Sequence, residues 1–125
     1  MIKTIQIDGK EIQFKATAAT PREYRRAFGR DIYIDLTTLY EDIEKGESLS
    51  VNSLEIFENL TFIMAMQAEG KTIERETVNK DMSEWLDQFD TFSIYKVVPQ
   101  IMELWRLNTE QTSEPKNPPA RPKDK

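Results

Sequence analysis

The chain has 125 residues and a net charge of −5, with 17 Lys and Arg against 22 Asp and Glu, and it contains no cysteine and no histidine. That length suits one domain with a core that needs no disulfides, and the missing residue types remove thiol nucleophiles, thiolate metal sites and histidine acid–base chemistry. The acidic total argues against phosphate neutralisation as the main task, and the longest unbroken apolar run, Phe62 to Met66, is far short of the ~20 residues of a membrane span.

Two β-favouring runs, Ile2 to Ile7 and Lys10 to Lys15, flank Asp8-Gly9. That dipeptide tolerates the positive φ angles of a type I′ turn, so residues 1–15 are expected to form a β-hairpin. An isolated hairpin is marginal in water, so it must pack on the rest of the chain or pair its edge with another. Packing is the reading favoured here.

Thr20-Pro21 reads as an N-cap followed by a proline in the first turn, where its missing N–H costs nothing. A short helix should run from Pro21 to about Phe28 and end at Gly29. Arg22, Arg25 and Arg26 share one of its faces; Tyr24, Ala27 and Phe28 share another. Arginines with an interleaved aromatic fit a phosphate backbone or a protein partner, and pairing with acidic segments of the same chain is the simpler alternative.

Asp31 to Lys45 has a helical stripe of Ile32, Leu36, Leu39, Tyr40 and Ile43, and Gly46 stops it. Its other face is expected to be acidic, with Asp35, Glu41, Asp42 and Glu44. A loop from Glu47 to Val51 leads to the most apolar stretch of the chain, Asn52 to Glu69, which should be the central helix, capped by Ser50 or Asn52 and ended by Gly70. Phe62 and Met66 lie on the side that also carries Glu55, Glu58 and Asn59. Either another helix of the chain covers them or they form an exposed apolar patch for a partner, and the first reading is favoured.

After a polar connection from Lys71 to Asn79, with a short extended piece expected around Thr72-Ile73, Asp81-Met82-Ser83-Glu84 resembles a capping box. It would open a fourth helix whose face is Met82, Trp85, Leu86 and Phe89. A last segment, capped by Asp90 or Thr91, carries Ile94, Val97, Val98, Ile101, Leu104 and Trp105 across Pro99. The continuous stripe favours a kink there over a break. From Asn108 to Lys125 the composition is that of a disordered tail; it holds four basic and three acidic residues, which leaves −6 on residues 1–107.

The expected fold is therefore α+β and mainly α: one domain over residues 1–107, made of a hairpin and a helical body of four to five helices over residues 20–107. Ser93-Ile94-Tyr95-Lys96 matches a Ser-x-x-Lys spacing, but its companion motifs are absent. No phosphate loop, metal-ligand spacing or paired-acid motif stands out. The expectation is a protein that is not an enzyme, with no cofactor and no metal.

Phe14-Lys15-Ala16-Thr17, Thr20-Pro21, Tyr24-Arg25, Phe28-Gly29-Arg30-Asp31 and the run on to Leu36 resemble the tail assembly chaperones of long-tailed phages and prophages of Gram-positive bacteria. The close resemblance covers roughly residues 1–40. It implies a non-enzymatic protein of the host bacterial cytoplasm, absent from the finished virion. Such a protein binds the phage tape measure protein and recruits tail tube subunits, and a frameshifted longer form accompanies it. A homo-oligomer would fit, with neither nucleic acid nor membrane as partner. Candidate contact residues are Arg22, Tyr24, Arg25, Arg26, Phe28, Phe62 and Met66. The alternative from another class is a small phage regulatory or nucleic-acid-binding protein using the face from Arg22 to Arg30.

Overall fold

A computed structural model describes residues 1–46 and 48–113, with side chains described as far as Trp105. Strands β1 (Ile2–Ile7) and β2 (Lys10–Lys15) pair antiparallel, with Ile2 opposite Lys15 and Ile7 opposite Lys10. Asp8 and Gly9 take φ of 56° and 77°, the left-handed pair that a type I′ turn needs. The pairing continues one residue further, since Ala16 N donates to Met1 O at 3.0 Å and the terminal amine donates to Ala16 O at 2.9 Å.

Five α-helices follow: α1 (Thr20–Phe28), α2 (Ile32–Glu44), α3 (Val51–Ala68), α4 (Val78–Leu86) and α5 (Val98–Ser113), with a short 3-10 segment, Ser93–Val97, before the last. The architecture is α+β and mainly α, a hairpin laid on a helical body, as the sequence suggested.

Helix α3 is the centre. Ile56, Phe57, Leu60, Phe62, Ile63, Met64 and Ala65 are all buried, so it is apolar on nearly every side, and such a helix needs neighbours all round. Strand β2 covers one side of it, and α1, α2 and α4 cover others. Ser50 is the cap, accepting from Ser53 N at 3.1 Å.

Trp85 on α4 joins hairpin to helices. It meets Phe14 of β2 edge-on at 6.5 Å between ring centroids, Phe62 of α3 at 5.9 Å and Phe89 at 5.1 Å. Edge-to-face pairs of this kind add about 0.5–1.5 kcal/mol each beyond the area they bury. The fold is thus stapled across elements far apart in sequence.

Several sequence expectations are corrected. Thr20 is not a cap: it lies inside the first turn of α1, fully buried, accepting from Thr17 N at 2.9 Å and donating to Gln67 Oε1 of α3 at 2.5 Å. Its hydroxyl ties two elements together where a cap would have tied one. Helix α4 begins at Val78, three residues before the Asp81 capping box, and Asp81 instead accepts from the Thr77 hydroxyl at 3.0 Å. Around Thr72-Ile73 the described residues form no paired strand, and Ile73 is buried.

Pro99 does not kink a continuous helix. It sits in the first turn of α5, where no hydrogen bond is lost, and the preceding apolar residues are wound as the 3-10 segment. Helix α5 continues to Ser113, through the first residues of the tail expected from Asn108; residues 114–125 lie outside the described residues, as does Glu47 at the start of the expected loop.

Candidate functional site

The elements that carry the arginines meet at one corner, between the end of α1 and the start of α2. Gly29 leaves α1 in a left-handed conformation, φ 68°, with its N–H on Arg25 O at 2.8 Å. Asp31 then starts α2 by accepting from Tyr33 N at 2.8 Å and Ile34 N at 3.4 Å. Only three residues, Gly29, Arg30 and Asp31, separate the helices, so the junction is tight.

Inside this junction the Asp35 carboxylate, 3% exposed, is held on three sides. Tyr24 donates to Oδ2 at 2.6 Å, Arg30 Nε to Oδ2 at 2.7 Å and Arg30 Nη2 to Oδ1 at 2.8 Å. Burial by itself raises the Asp35 pKa, but the hydrogen bonds from Arg30 and Tyr24, with the Arg30 charge, outweigh it and hold the carboxyl below the usual range. Burial, with Asp35 beside it, pushes the Tyr24 hydroxyl well above the ordinary tyrosine value. Asp35 was expected on the outer acidic face of α2. It lies instead on the buried stripe, one turn after Ile32 and one residue before Leu36, and can do so only because Arg30 and Tyr24 satisfy it.

Arg75 reaches back from the connection before α4 and donates to two carbonyls at the end of α1, Nε to Arg26 O at 3.0 Å and Nη2 to Arg25 O at 2.9 Å. A cation there also favours the negative end of the helix dipole. Arg26 pairs with Glu23 at 3.2 Å and Glu74 at 3.7 Å.

Arg22 and Arg25 are left. Both are exposed, and among the described residues neither has an ion-pair partner. Tyr33 and Ile34, on the first turn of α2, are 64% and 65% exposed. Arg25 and Tyr33 line a shared cleft of about 240 Å³ whose walls include Pro21, Arg30 and Asp31.

The seven residues singled out in the sequence therefore divide. Arg22 and Arg25 are exposed; Arg26 and Phe28 are half-buried at the rim. Tyr24 is buried, with Phe28 against it at 5.0 Å between ring centroids. Phe62 is wholly buried and Met66 is 6% exposed, so they make no exposed patch: α4, through Trp85, covers the side of α3 that carries them. They reach only the floor of a separate cleft between α3 and α4.

Sequence reasoning missed Tyr33 and Ile34. A signal was present, because both are large apolar residues left outside the α2 stripe. Ser93 of the Ser-x-x-Lys pattern donates its hydroxyl to Asp8 of the hairpin turn, which also accepts from Asp90 N at 2.7 Å. Those bonds lower the Asp8 pKa, first through Ser93 and then through Asp90, and they pin the turn to the loop before the 3-10 segment.

Among the described residues no group of three or more His, Cys, Asp or Glu side chains is placed to hold a metal, and no helix is long and apolar enough to cross a membrane. Comparison with protein-family models, with curated proteins and with solved structures finds no match to this chain.

Proposed function

We propose that this chain is a non-enzymatic tail assembly chaperone of a long-tailed phage or prophage of Gram-positive bacteria, which binds the tape measure protein and assists tail tube assembly. The observation that supports this most is the corner at α1 and α2, where Arg25, without an ion-pair partner among the described residues, shares a cleft with the exposed Tyr33 on an otherwise acidic body. Exposed apolar area beside free charge is the kind of surface that a protein client can cover. Part of the pattern that resembles the chaperones, Tyr24-Arg25 and Phe28-Gly29-Arg30-Asp31, lies in this same corner. On this reading the protein works in the host bacterial cytoplasm, is absent from the finished virion, and meets tail tube subunits, further copies of itself and a frameshifted longer form.

The alternative of a regulatory nucleic-acid-binding protein rests on the same Arg22 and Arg25. It is disfavoured because, among the described residues, only Arg22 and Arg25 of this face lack an ion-pair partner, few against the several phosphates that a backbone-binding surface neutralises. The deciding experiment is an affinity pull-down from phage-producing cells, with bound proteins identified by mass spectrometry and the complex sized by light scattering. The chaperone reading expects the tape measure protein carrying several copies of the bait, and a loss of recovery with Tyr33→Asp/Ile34→Asp. Recovery of nucleic acid without that protein, or of bait alone, would sink it.

A further inference from the structure

We infer that the α1–α2 corner docks an acidic amphipathic helix of its client, with the helix's apolar face on Tyr33 and Ile34 and its carboxylates on Arg22 and Arg25. This rests on the reading of the corner as the client surface.

The outer surface of α2 is apolar in its first half. Tyr33 and Ile34 face solvent, and the next turn carries Thr37 and Thr38, whose hydroxyls are turned back onto the helix: Thr37 Oγ1 donates to Tyr33 O at 2.9 Å and Thr38 Oγ1 to Ile34 O at 3.1 Å. Each threonine has thereby spent its donor on its own backbone. Apart from the Tyr33 hydroxyl, the strip therefore offers apolar contact rather than hydrogen-bond donors, over two helical turns, a length that suits a helix lying on it.

Charge selects the occupant's polar edge. Arg30 is engaged by Asp35, Arg26 by Glu23 and Glu74, and Arg75 by the carbonyls of α1. Asp31 spends an oxygen capping α2. Arg22 and Arg25, three residues apart on α1 and so on one face, remain for carboxylates, which guanidinium groups bind in a two-pronged geometry. Arg25 and Tyr33 share the cleft at the junction, so one charged and one apolar contact are presented side by side. An extended phosphate chain would find two free cations and an isoleucine that offers it nothing.

The test uses two synthetic 20-residue peptides that share a leucine face, one with glutamate and one with lysine at its polar positions, and a 20-nucleotide single-stranded DNA, each labelled and titrated with the full chain by fluorescence anisotropy. The glutamate peptide should bind at least tenfold tighter than either other probe. Arg22→Ala/Arg25→Ala and Tyr33→Ser/Ile34→Ser should each weaken it at least tenfold while circular dichroism stays unchanged, as expected for exposed residues. Equal binding of the lysine peptide, tighter binding of DNA, or full affinity in the arginine variant would overturn the inference. Arginine-dependent peptide binding without recovery of a tape measure protein from cells would remove the proposed function and leave the docking chemistry standing. Recovery of that protein undiminished by the corner variants would do the reverse.

Discussion

The Tyr24 hydroxyl donates to the Asp35 carboxylate at 2.6 Å, and that bond joins α1 to α2 inside the corner whose outer surface carries the free arginines. Arg30 closes the same carboxylate from the solvent side, with its own side chain about half exposed. The network fixes where Arg25 and Tyr33 stand relative to each other.

Breaking this network from its two ends should cost different amounts. Arg30→Ala leaves a buried carboxylate without its cation and should destabilise the protein by about 3 kcal/mol. Tyr24→Phe removes one hydrogen bond to a charged group that keeps its arginine, and should cost about 1.5 kcal/mol. Urea unfolding at pH 7 measures both, and a larger loss for Tyr24→Phe would contradict this account of Asp35.

The pH dependence should be one-sided below neutrality. Hydrogen bonds outweigh the opposing effect of burial at Asp35 and lower its folded pKa, and hydrogen bonds also lower those of Asp8 and Asp42. Their stabilisation is present above the unfolded aspartate value of about 3.9 and is lost as pH falls through the folded values. With no histidine to titrate, Tm should stay flat from pH 5 to pH 7 and drop below about pH 4. A step near pH 6.5 would refute this.

At the alkaline end the sign is opposite in protonation. Burial, and then the hydrogen bond to Glu58, raises the Tyr95 hydroxyl to about 12, and Tyr24 is raised as well. The stabilisation of their neutral forms is complete below the unfolded tyrosine value of about 10 and disappears as pH rises through the folded values. Tyr95→Phe should reduce the loss of Tm between about pH 10 and pH 12, and an unchanged slope would show that the pair with Glu58 contributes nothing.

Two glycines at positive φ should respond differently to alanine. Gly9, at 77°, faces open space, so Gly9→Ala meets only the backbone penalty of about 1–2 kcal/mol. At Gly29 a Cβ would also stand 3.3 Å from the Arg75 guanidinium that caps α1. Gly29→Ala should therefore be the more damaging, and thermal melts of the two variants would show equal losses if the Arg75 contact were immaterial.

Phe62→Ala should destabilise by about 3–5 kcal/mol, as expected for a wholly buried aromatic that packs on Trp85. Pro99→Ala should stay within about 1 kcal/mol, since the proline occupies a first-turn position that has no hydrogen bond to lose. A severe effect at Pro99, read by the same melts, would restore the kinked helix that the sequence suggested.

Most element types were legible because their signals are local. Asp8-Gly9 names its own turn, Asp31 and Gly46 bracket α2, and the period of α3 is unambiguous. Boundaries failed where a polar side chain had a distant alternative: Thr20 bonds to Gln67 rather than capping, and Asp81 takes the Thr77 hydroxyl rather than opening a helix. Half of the candidate surface was legible for the same reason. Arg22 and Arg25 announce themselves as charge, whereas Tyr33 and Ile34 look like core until it is known which side of α2 is covered.

The sequence by itself determined the hairpin, the apolar centre at α3 and the acidic character of the body, because turn propensity, periodicity and composition act over a few residues. Only the tertiary structure decided which side chains are spent and which are free. It buried Phe62 and Met66 under Trp85, drew Asp35 inward to Tyr24 and Arg30, and left Arg25 beside Tyr33, with Arg22 and Ile34 exposed. Exposure and pairing depend on what packs across from a residue, and that partner is set by residues far away in the chain.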